Sequence, residues 1–123
     1  MMKKILFSFL LLICFCTANA KYSQSCIVKY KTQNGWSKKY TVTVTFMSGM
    51  ELNEATSGMR YSVMSIYAII FWDKGEATVI KISSLLLCGT VVDQSCIRNA
   101  VLDIKGKDQD DDEWNICVNE ICF

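Results

Sequence analysis

The stretch YTVTVTF (residues 40–46) alternates a large apolar or aromatic residue with threonine at every second position. Such alternation places two kinds of side chain on the two faces of an extended strand. The apolar face carries Tyr40, Val42, Val44 and Phe46. The pattern predicts a half-buried antiparallel strand, and the same period of two dominates much of the remaining chain.

The segment before this strand predicts its partner and a turn. A three-residue turn at 33–35 sets Val28 opposite Tyr40 and keeps apolar residues facing apolar ones. A two-residue turn at 34–35 would instead set lysine opposite lysine. We therefore predict the three-residue turn, in which Gly35 suits a left-handed position.

A second hairpin is predicted in SIYAIIFWDKGEATVIKIS (residues 65–83), with its turn at 73–75. This register pairs Trp72 with Glu76 and leaves apolar residues on both faces near the middle. We expect other layers of the fold, or a partner chain, to cover both faces.

A third pair of strands is predicted at about 98–105 and 113–118, joined by an acidic stretch. Its inward residues are expected to be Ala100, Leu102, Ile104, Trp114, Ile116 and Val118. Between the first two hairpins, Ser48 followed by Glu51 predicts a helix cap and a turn or two of helix.

The expected fold is therefore all-β, mostly antiparallel, with six to seven short strands and at most one or two short helical turns. Two architectures fit this pattern. They are a small β-sandwich and a partly open barrel of the oligonucleotide/oligosaccharide-binding type, either of them stapled by disulfides.

The amino terminus has the three parts of a secretory signal: two lysines (Lys3 and Lys4), an apolar run at 5–16 and small residues flanking Asn19. The predicted parts of the chain are a cleaved signal peptide at 1–20 and a single small domain at 21–123. The run is too short to span a bilayer, so no transmembrane segment is expected after cleavage. The signal resembles those of Gram-negative bacteria, which implies a periplasmic or secreted protein.

Five cysteines remain after the predicted cleavage, and an exported chain favours disulfides. Cys88 and Cys96 are predicted to pair across a short loop. One further pair is expected among Cys26, Cys117 and Cys122, with its connectivity open. The fifth thiol is expected to be buried, the alternative being a link between two chains.

The composition excludes several functions. The chain has no histidine, which rules out a Ser-His-Asp triad, a Cys-His pair and an HExxH zinc site within it. Of 13 basic and 12 acidic residues, cleavage removes Lys3 and Lys4, which leaves 11 against 12 and a net charge of −1. Nucleic acid is therefore not an expected partner.

The segment KYKTQNGWSKKY (residues 29–40) interleaves lysines with aromatic residues. Charge and stacking together predict a surface for an anionic glycan, a protein or the cell envelope. Its candidate binding residues are Lys29, Lys31, Trp36, Lys39 and Tyr40. The alternative is an edge hairpin that lysines keep soluble.

The acidic stretch contains the spacing D-x-D-x-D at Asp108, Asp110 and Asp112, followed by Glu113. These four residues are candidate ligands for Ca²⁺, because alternate carboxylates of a tight turn can meet one hard cation. Glu113 stands where such loops usually have glycine, which favours a solvated turn instead.

We therefore expect a non-enzymatic binding module. The alternatives are a calcium-dependent module that uses the acidic stretch, and a small hydrolase or lyase that uses two carboxylates. Self-association would follow if one face of the second hairpin were left uncovered.

Overall fold

The computed structural model describes residues 5–6 (backbone only), 21–84, 86–88, 92–99 and 103–118. The strands are β1 (Ile5–Leu6), β2 (Lys21–Thr32), β3 (Gly35–Trp36), β4 (Tyr40–Ser48), β5 (Ile66–Phe71), β6 (Glu76–Ile82), β7 (Ile104–Asp108) and β8 (Glu113–Cys117). The helices are α1 (Gly49–Thr56) and α2 (Gln94–Arg98), and a single 3-10 turn lies at Asp73–Gly75. Neither α-helix in this part of the chain has the length and apolarity that crossing a bilayer requires.

Six strands close into an antiparallel barrel. In the order β2, β4, β5, β6, β7 and β8, each strand pairs with the next, and β8 pairs back with β2. The sandwich and the partly open barrel predicted from the sequence are therefore wrong, although the all-β class is confirmed. The reason is that β6 also pairs with β7, through Ile80 to Ile82, which joins the second hairpin to the third.

Both predicted hairpin registers are present in the ladders. Val28 lies opposite Tyr40 between β2 and β4, and Phe71 lies opposite Ala77 between β5 and β6. Each pairing keeps one set of alternating apolar side chains on the inner face, which is why the pattern predicted it correctly.

The tip of the first hairpin differs from the prediction. Thr32 pairs with Gly35 across a two-residue turn, so Lys31 lies opposite Trp36. The pairing of β2 with β4 needs one more residue between the two strands than this turn provides. The extra residue forms a bulge in the irregular segment 37–39. Ser37 holds this bulge, because its hydroxyl accepts from Tyr30 N at 3.0 Å while its own N–H donates to Tyr30 O at 2.7 Å.

The third strand pair begins later than predicted. Its first strand starts at Ile104, because the chain up to Arg98 forms α2. Asp93 caps this helix, its carboxylate accepting from Cys96 N at 3.0 Å. Ala100 and Leu102 lie outside the described residues. The predicted cap of α1 is confirmed, with Ser48 Oγ accepting from Glu51 N at 3.2 Å.

The inner faces of the six strands enclose one hydrophobic cluster, and the β6–β7 connection closes one end of the barrel by adding Val92 and Ile97 to it. A second cluster lies outside the barrel, where Leu52 and Ala55 of α1 cover Ile69 and its neighbours. The second hairpin is therefore covered on both faces within one chain, as its apolar pattern predicts.

The disulfide between Cys88 and Cys96 is confirmed. Cys26 has a free thiol and is buried inside the barrel. Cys117 is disulfide-bonded, and its partner lies outside the described residues. The pairings of Cys26 that the sequence left open are therefore not formed.

Candidate functional site

Four aromatic side chains meet inside the barrel at the end opposite to α2. Tyr30 stacks on Tyr40, with ring centres 6.3 Å apart and planes 13° apart, and lies 5.1 Å from Trp114. Tyr40 also meets the edge of Trp72, at 6.1 Å. The connections at this end are the short turns of the three hairpins. We call Tyr30, Tyr40, Trp72 and Trp114 the aromatic end of the barrel.

Alternation explains why these residues converge. Trp72 continues the inward series of β5, two residues beyond Ile70, and Tyr40 begins the inward series of β4. Trp114 is buried, with 1% of its surface exposed, whereas Tyr30, Tyr40 and Trp72 are half-buried. The aromatic end therefore offers ring surface to solvent at a position that the fold fixes.

Hydrogen bonds hold the two indoles. Trp72 Nε1 donates to Thr78 Oγ1 at 2.8 Å, and Trp114 Nε1 donates to Asp108 Oδ2 at 2.8 Å. Each indole N–H thus has a partner, as a buried donor requires. The rings are preorganised, so that a ligand stacking on this end would not have to order them.

The pKa of the Tyr30 phenol is raised. The largest cause is partial burial, followed by its hydrogen bond and electrostatic interaction with Tyr40 and by the negative charge of Asp112. Tyr30 is therefore a neutral hydrogen-bonding group at physiological pH.

The candidate ligand-binding residues divide between two surfaces. Lys29, Lys31 and Trp36 lie on the outside of the barrel, where Lys29 Nζ stands 4.9 Å from the centre of the Trp36 ring. Tyr40 belongs to the aromatic end, and Lys39 is exposed just before it. The bulge at 37–39 causes this division, because it reverses which face successive residues occupy.

Two residues of the site were not predicted. Lys38 lies over the Tyr40 ring at 5.2 Å, and Trp72 borders the same ring. The signal for Trp72 was in the sequence, since it follows Ala68 and Ile70 at alternate positions of the second hairpin, although the predicted register did not decide which face was the inner one. Nothing in the local pattern indicates the contact of Lys38, which depends on the bulge.

The acidic stretch is a tight turn organised by Asp108. This residue is 8% exposed, and its Oδ1 accepts from Asp110 N at 2.9 Å and from Asp112 N at 3.0 Å. Its Oδ2 accepts from the Trp114 indole. Asp111 has a φ of 68°, in the left-handed region that aspartate tolerates in turns. Both oxygens of Asp108 thus bind the protein's own N–H groups.

This arrangement does not support the predicted calcium site of Asp108, Asp110, Asp112 and Glu113. Within the described ranges, no group of three acidic or cysteine side chains is placed to hold a metal ion. Glu113 instead forms an exposed ion pair with Lys31 at 3.7 Å. The geometry fits the solvated-turn interpretation.

A shallow cavity of about 350 Å³ lies beside β4 and the end of β5, next to Trp72 of the aromatic end. Its lining residues are Val42, Thr43, Thr45, Phe71, Trp72 and Asp73. Two-carboxylate hydrolysis requires a pair of acids in unlike environments. Asp73 is the single acid of this lining, so the cavity does not provide such a pair.

The fold class that these observations define is a small antiparallel barrel with an aromatic end, in which strands that are neighbours in sequence pair and the first and last strands close the ring. Comparison with protein-family models, with curated proteins and with solved structures gives no match for this chain.

Proposed function

We propose that this protein is an exported, non-enzymatic binding module whose ligand contacts the first hairpin and the adjacent aromatic end. The observation that carries this proposal is the pair of lysine–aromatic stacks on one hairpin, Lys29 with Trp36 and Lys38 with Tyr40. Aromatic rings beside ammonium groups bind ligands by stacking and charge together.

The exposure of Trp36 supports a role in binding over a role in folding. Its side chain is 46% exposed, although a tryptophan stabilises a fold mainly through burial. The tip has its own hydrogen bonds without the indole, because Thr32 Oγ1 donates to Gly35 O at 3.0 Å and accepts from Asn34 N at 3.2 Å. Trp36 is therefore available to a partner at little cost to the hairpin.

The place of action follows from the amino-terminal pattern and the disulfides. Disulfides persist in oxidising compartments, and a signal peptide at 1–20 would deliver the domain to one. The ligand then belongs to the cell envelope or to the medium. Surface polysaccharides of the envelope combine sugar rings, which stack on aromatic residues, with anionic groups.

The test measures binding to two envelope polymers, lipopolysaccharide and solubilised peptidoglycan, by calorimetry and tryptophan fluorescence. We expect Trp36→Ala with Lys38→Ala to weaken binding by about tenfold or more, as loss of a stacked aromatic and a charge implies. The matched control is Leu87→Ala with Arg60→Ala, because Leu87 is 83% exposed and Arg60 is an exposed cation in the segment after α1.

The control pair should retain affinity within about twofold. The proposal would be contradicted if the two double variants lost affinity equally. It would also be contradicted if Trp36→Ala with Lys38→Ala bound both polymers as tightly as the wild type does. Thermal unfolding of each variant shows that the comparison is between folded proteins.

A further inference from the structure

Five lysines from three distant segments share the outer face of four neighbouring strands. Two are on β2 and lie beside β8, because Lys29 is opposite Asn115 and Lys31 contacts Glu113. The others are on β7 and β6, namely Lys105, Lys107 and Lys81. On β7, Lys105 lies opposite Asn115 of β8, and Lys107 lies opposite Glu113 of β8. On its other side β7 pairs with β6, where Lys107 lies opposite Lys81.

These positions form two rows that run across the strands. One row is Lys31, Glu113, Lys107 and Lys81, and the other is Lys29, Asn115 and Lys105. Neighbouring strands are about 4.8 Å apart, so lysines that flank β8 have backbones about 10 Å apart. Lys31, Lys81, Lys105 and Lys107 are exposed and Lys29 is half-buried beside Trp36. We call these five lysines the basic face.

The acids of this region neutralise the face only in part. Glu113 meets Lys31 at 3.7 Å and Asp111 meets Lys107 at 3.9 Å, and both pairs are solvent-exposed. Exposed pairs of this kind are weak and open to competition by another anion. Lys81 and Lys105 also point outward, and the strand order places the five lysines on the outer surface of four of the six strands, a surface that curves around about half of the barrel.

From this arrangement we infer that the basic face binds a linear polysaccharide that carries carboxylate or sulfate groups, laid across β2, β8, β7 and β6, with Trp36 stacking on a sugar ring at one edge. The inference rests on the proposed function, because it supplies the ligand class and extends the binding surface beyond the first hairpin. A chain with regularly spaced anionic groups matches lysines that recur across a row. Its hydroxyls suit the carboxylate of Glu113 as an acceptor, and also that of Asp103, which lies at the same surface because its Oδ2 accepts from Asn115 Nδ2 at 3.0 Å.

Two other polyanions fit the face less well. Single-stranded nucleic acid uses several stacking platforms in succession, whereas among the described residues Trp36 is the one exposed aromatic beside these lysines, and the half-buried rings of the aromatic end pack on the barrel interior. An anionic membrane gains from apolar side chains inserted beside the lysines. The exposed residues Met59, Val63 and Met64 follow α1 and lie on none of the four strands that carry these lysines, although α1 also packs on Ala77 and Val79 of β6.

The experiment titrates the folded, oxidised protein with polygalacturonate and with dextran sulfate at about 150 mM salt. These two arms separate recognition of carboxylate from recognition of sulfate, and neutral dextran is the uncharged reference. Lys105→Gln with Lys107→Gln should weaken binding by about tenfold or more. The matched control is Arg60→Gln with Lys74→Gln, which removes the same charge elsewhere and should change affinity by about twofold or less.

The outcomes separate this inference from the proposed function. We call Lys105→Gln with Lys107→Gln the β7 pair and Trp36→Ala with Lys38→Ala the hairpin pair. If the hairpin pair weakens binding to the envelope polymers, the proposed function stands. If the β7 pair then leaves binding to both anionic chains unchanged, the inference fails. If the β7 pair weakens binding and the hairpin pair does not, the hairpin proposal fails, and the inferred stacking of Trp36 on a sugar ring fails with it. Equal or tighter binding of single-stranded DNA or of phosphatidylglycerol vesicles would overturn the polysaccharide assignment, as would no binding of either anionic chain.

Discussion

The ammonium nitrogen of Lys29 lies 4.9 Å from the centre of the Trp36 ring. The two residues belong to different strands, and they meet because the two-residue turn places Trp36 opposite Lys31, on the outer face. A cation over an exposed ring stabilises by about 0.5–1 kcal/mol.

This contact should appear as a coupling energy. In a double-mutant cycle of Lys29→Met and Trp36→Leu, we expect the two effects on the free energy of unfolding to be non-additive by about 0.5 kcal/mol. Urea unfolding of the four proteins measures it. Additive effects would mean that the stack contributes nothing to stability.

The bulge at 37–39 makes a prediction about chain length. Removing Lys38 alone would give the tip and the ladder one common register, with Trp36 still outside and Tyr40 still inside. We expect this deletion to change the free energy of unfolding by about 1 kcal/mol or less.

Removing both Lys38 and Lys39 is the control, because the ladder would then be one residue short and the two registers would conflict again. The expected cost is about 2 kcal/mol or more. Urea unfolding tests both deletions, and a single deletion that is as damaging as the double one would argue against the bulge.

Asp108 is expected to be the acidic residue that matters for stability. Asp108→Ala leaves two turn N–H groups and the Trp114 indole without their acceptor, so it should lower the free energy of unfolding by about 3 kcal/mol. Asp110→Ala, at an exposed neighbour, should cost about 0.5 kcal/mol or less. Chemical denaturation of the two variants checks this, and similar losses in both would contradict the assigned role.

Calcium is expected to leave the acidic turn unchanged, since Asp108 uses both carboxylate oxygens within the protein. Melting temperatures in excess calcium and in chelator should agree within about 1 °C. A true site at a hundred times its dissociation constant would raise the melt by several degrees, because it adds about 2.7 kcal/mol. Differential scanning calorimetry distinguishes these outcomes.

The buried thiol of Cys26 predicts a loss of stability at high pH. Burial raises the pKa of this thiol from 9.0 to about 12. The folded state therefore keeps a proton that the unfolded chain releases above pH 9, so the free energy of unfolding should decrease between pH 9 and 12. Below pH 9 the contribution is fully present.

The control for this effect is Cys26→Ala. This variant should lack the part of the slope of unfolding free energy against pH that corresponds to the one thiol proton, and should keep the part that comes from other groups. Urea unfolding from pH 8 to 11 gives the two slopes. Parallel curves for the two proteins would show that this thiol does not titrate differently on unfolding.

The sequence predicted those parts of the fold that depend on local alternation. The registers around Val28 with Tyr40 and Phe71 with Ala77 follow from side chains that must face one interior. The two-residue turn at 33–34 was missed because it depends on the bulge at 37–39. In that bulge the hydroxyl of Ser37 accepts from Tyr30 N in place of a backbone carbonyl, and hydrophobic periodicity does not reveal such a bond. Barrel closure was missed because its pairs join residues far apart in sequence, which leave no local signal.

The candidate site was predictable to a similar extent. Lys29, Lys31 and Trp36 come together as one surface, but Tyr40 faces the interior because of the bulge. The basic face was not predicted, since Lys105 and Lys107 lie in a segment whose most visible feature is its acidic run. Only the pairing of β8 with both β2 and β7 brings these lysines beside those of the first hairpin.

The topology of the barrel also dictates the order in which the chain can fold. Five of the six strand pairs join consecutive strands of the barrel, so they can form as the chain emerges. The sixth, in which Tyr30 lies opposite Trp114, must wait for almost the last described residues. Until then β2 and β7 are open edges, ready to pair with another molecule. A chain truncated before β8 should therefore aggregate, and the seam that closes last in folding crosses the basic face between β2 and β8.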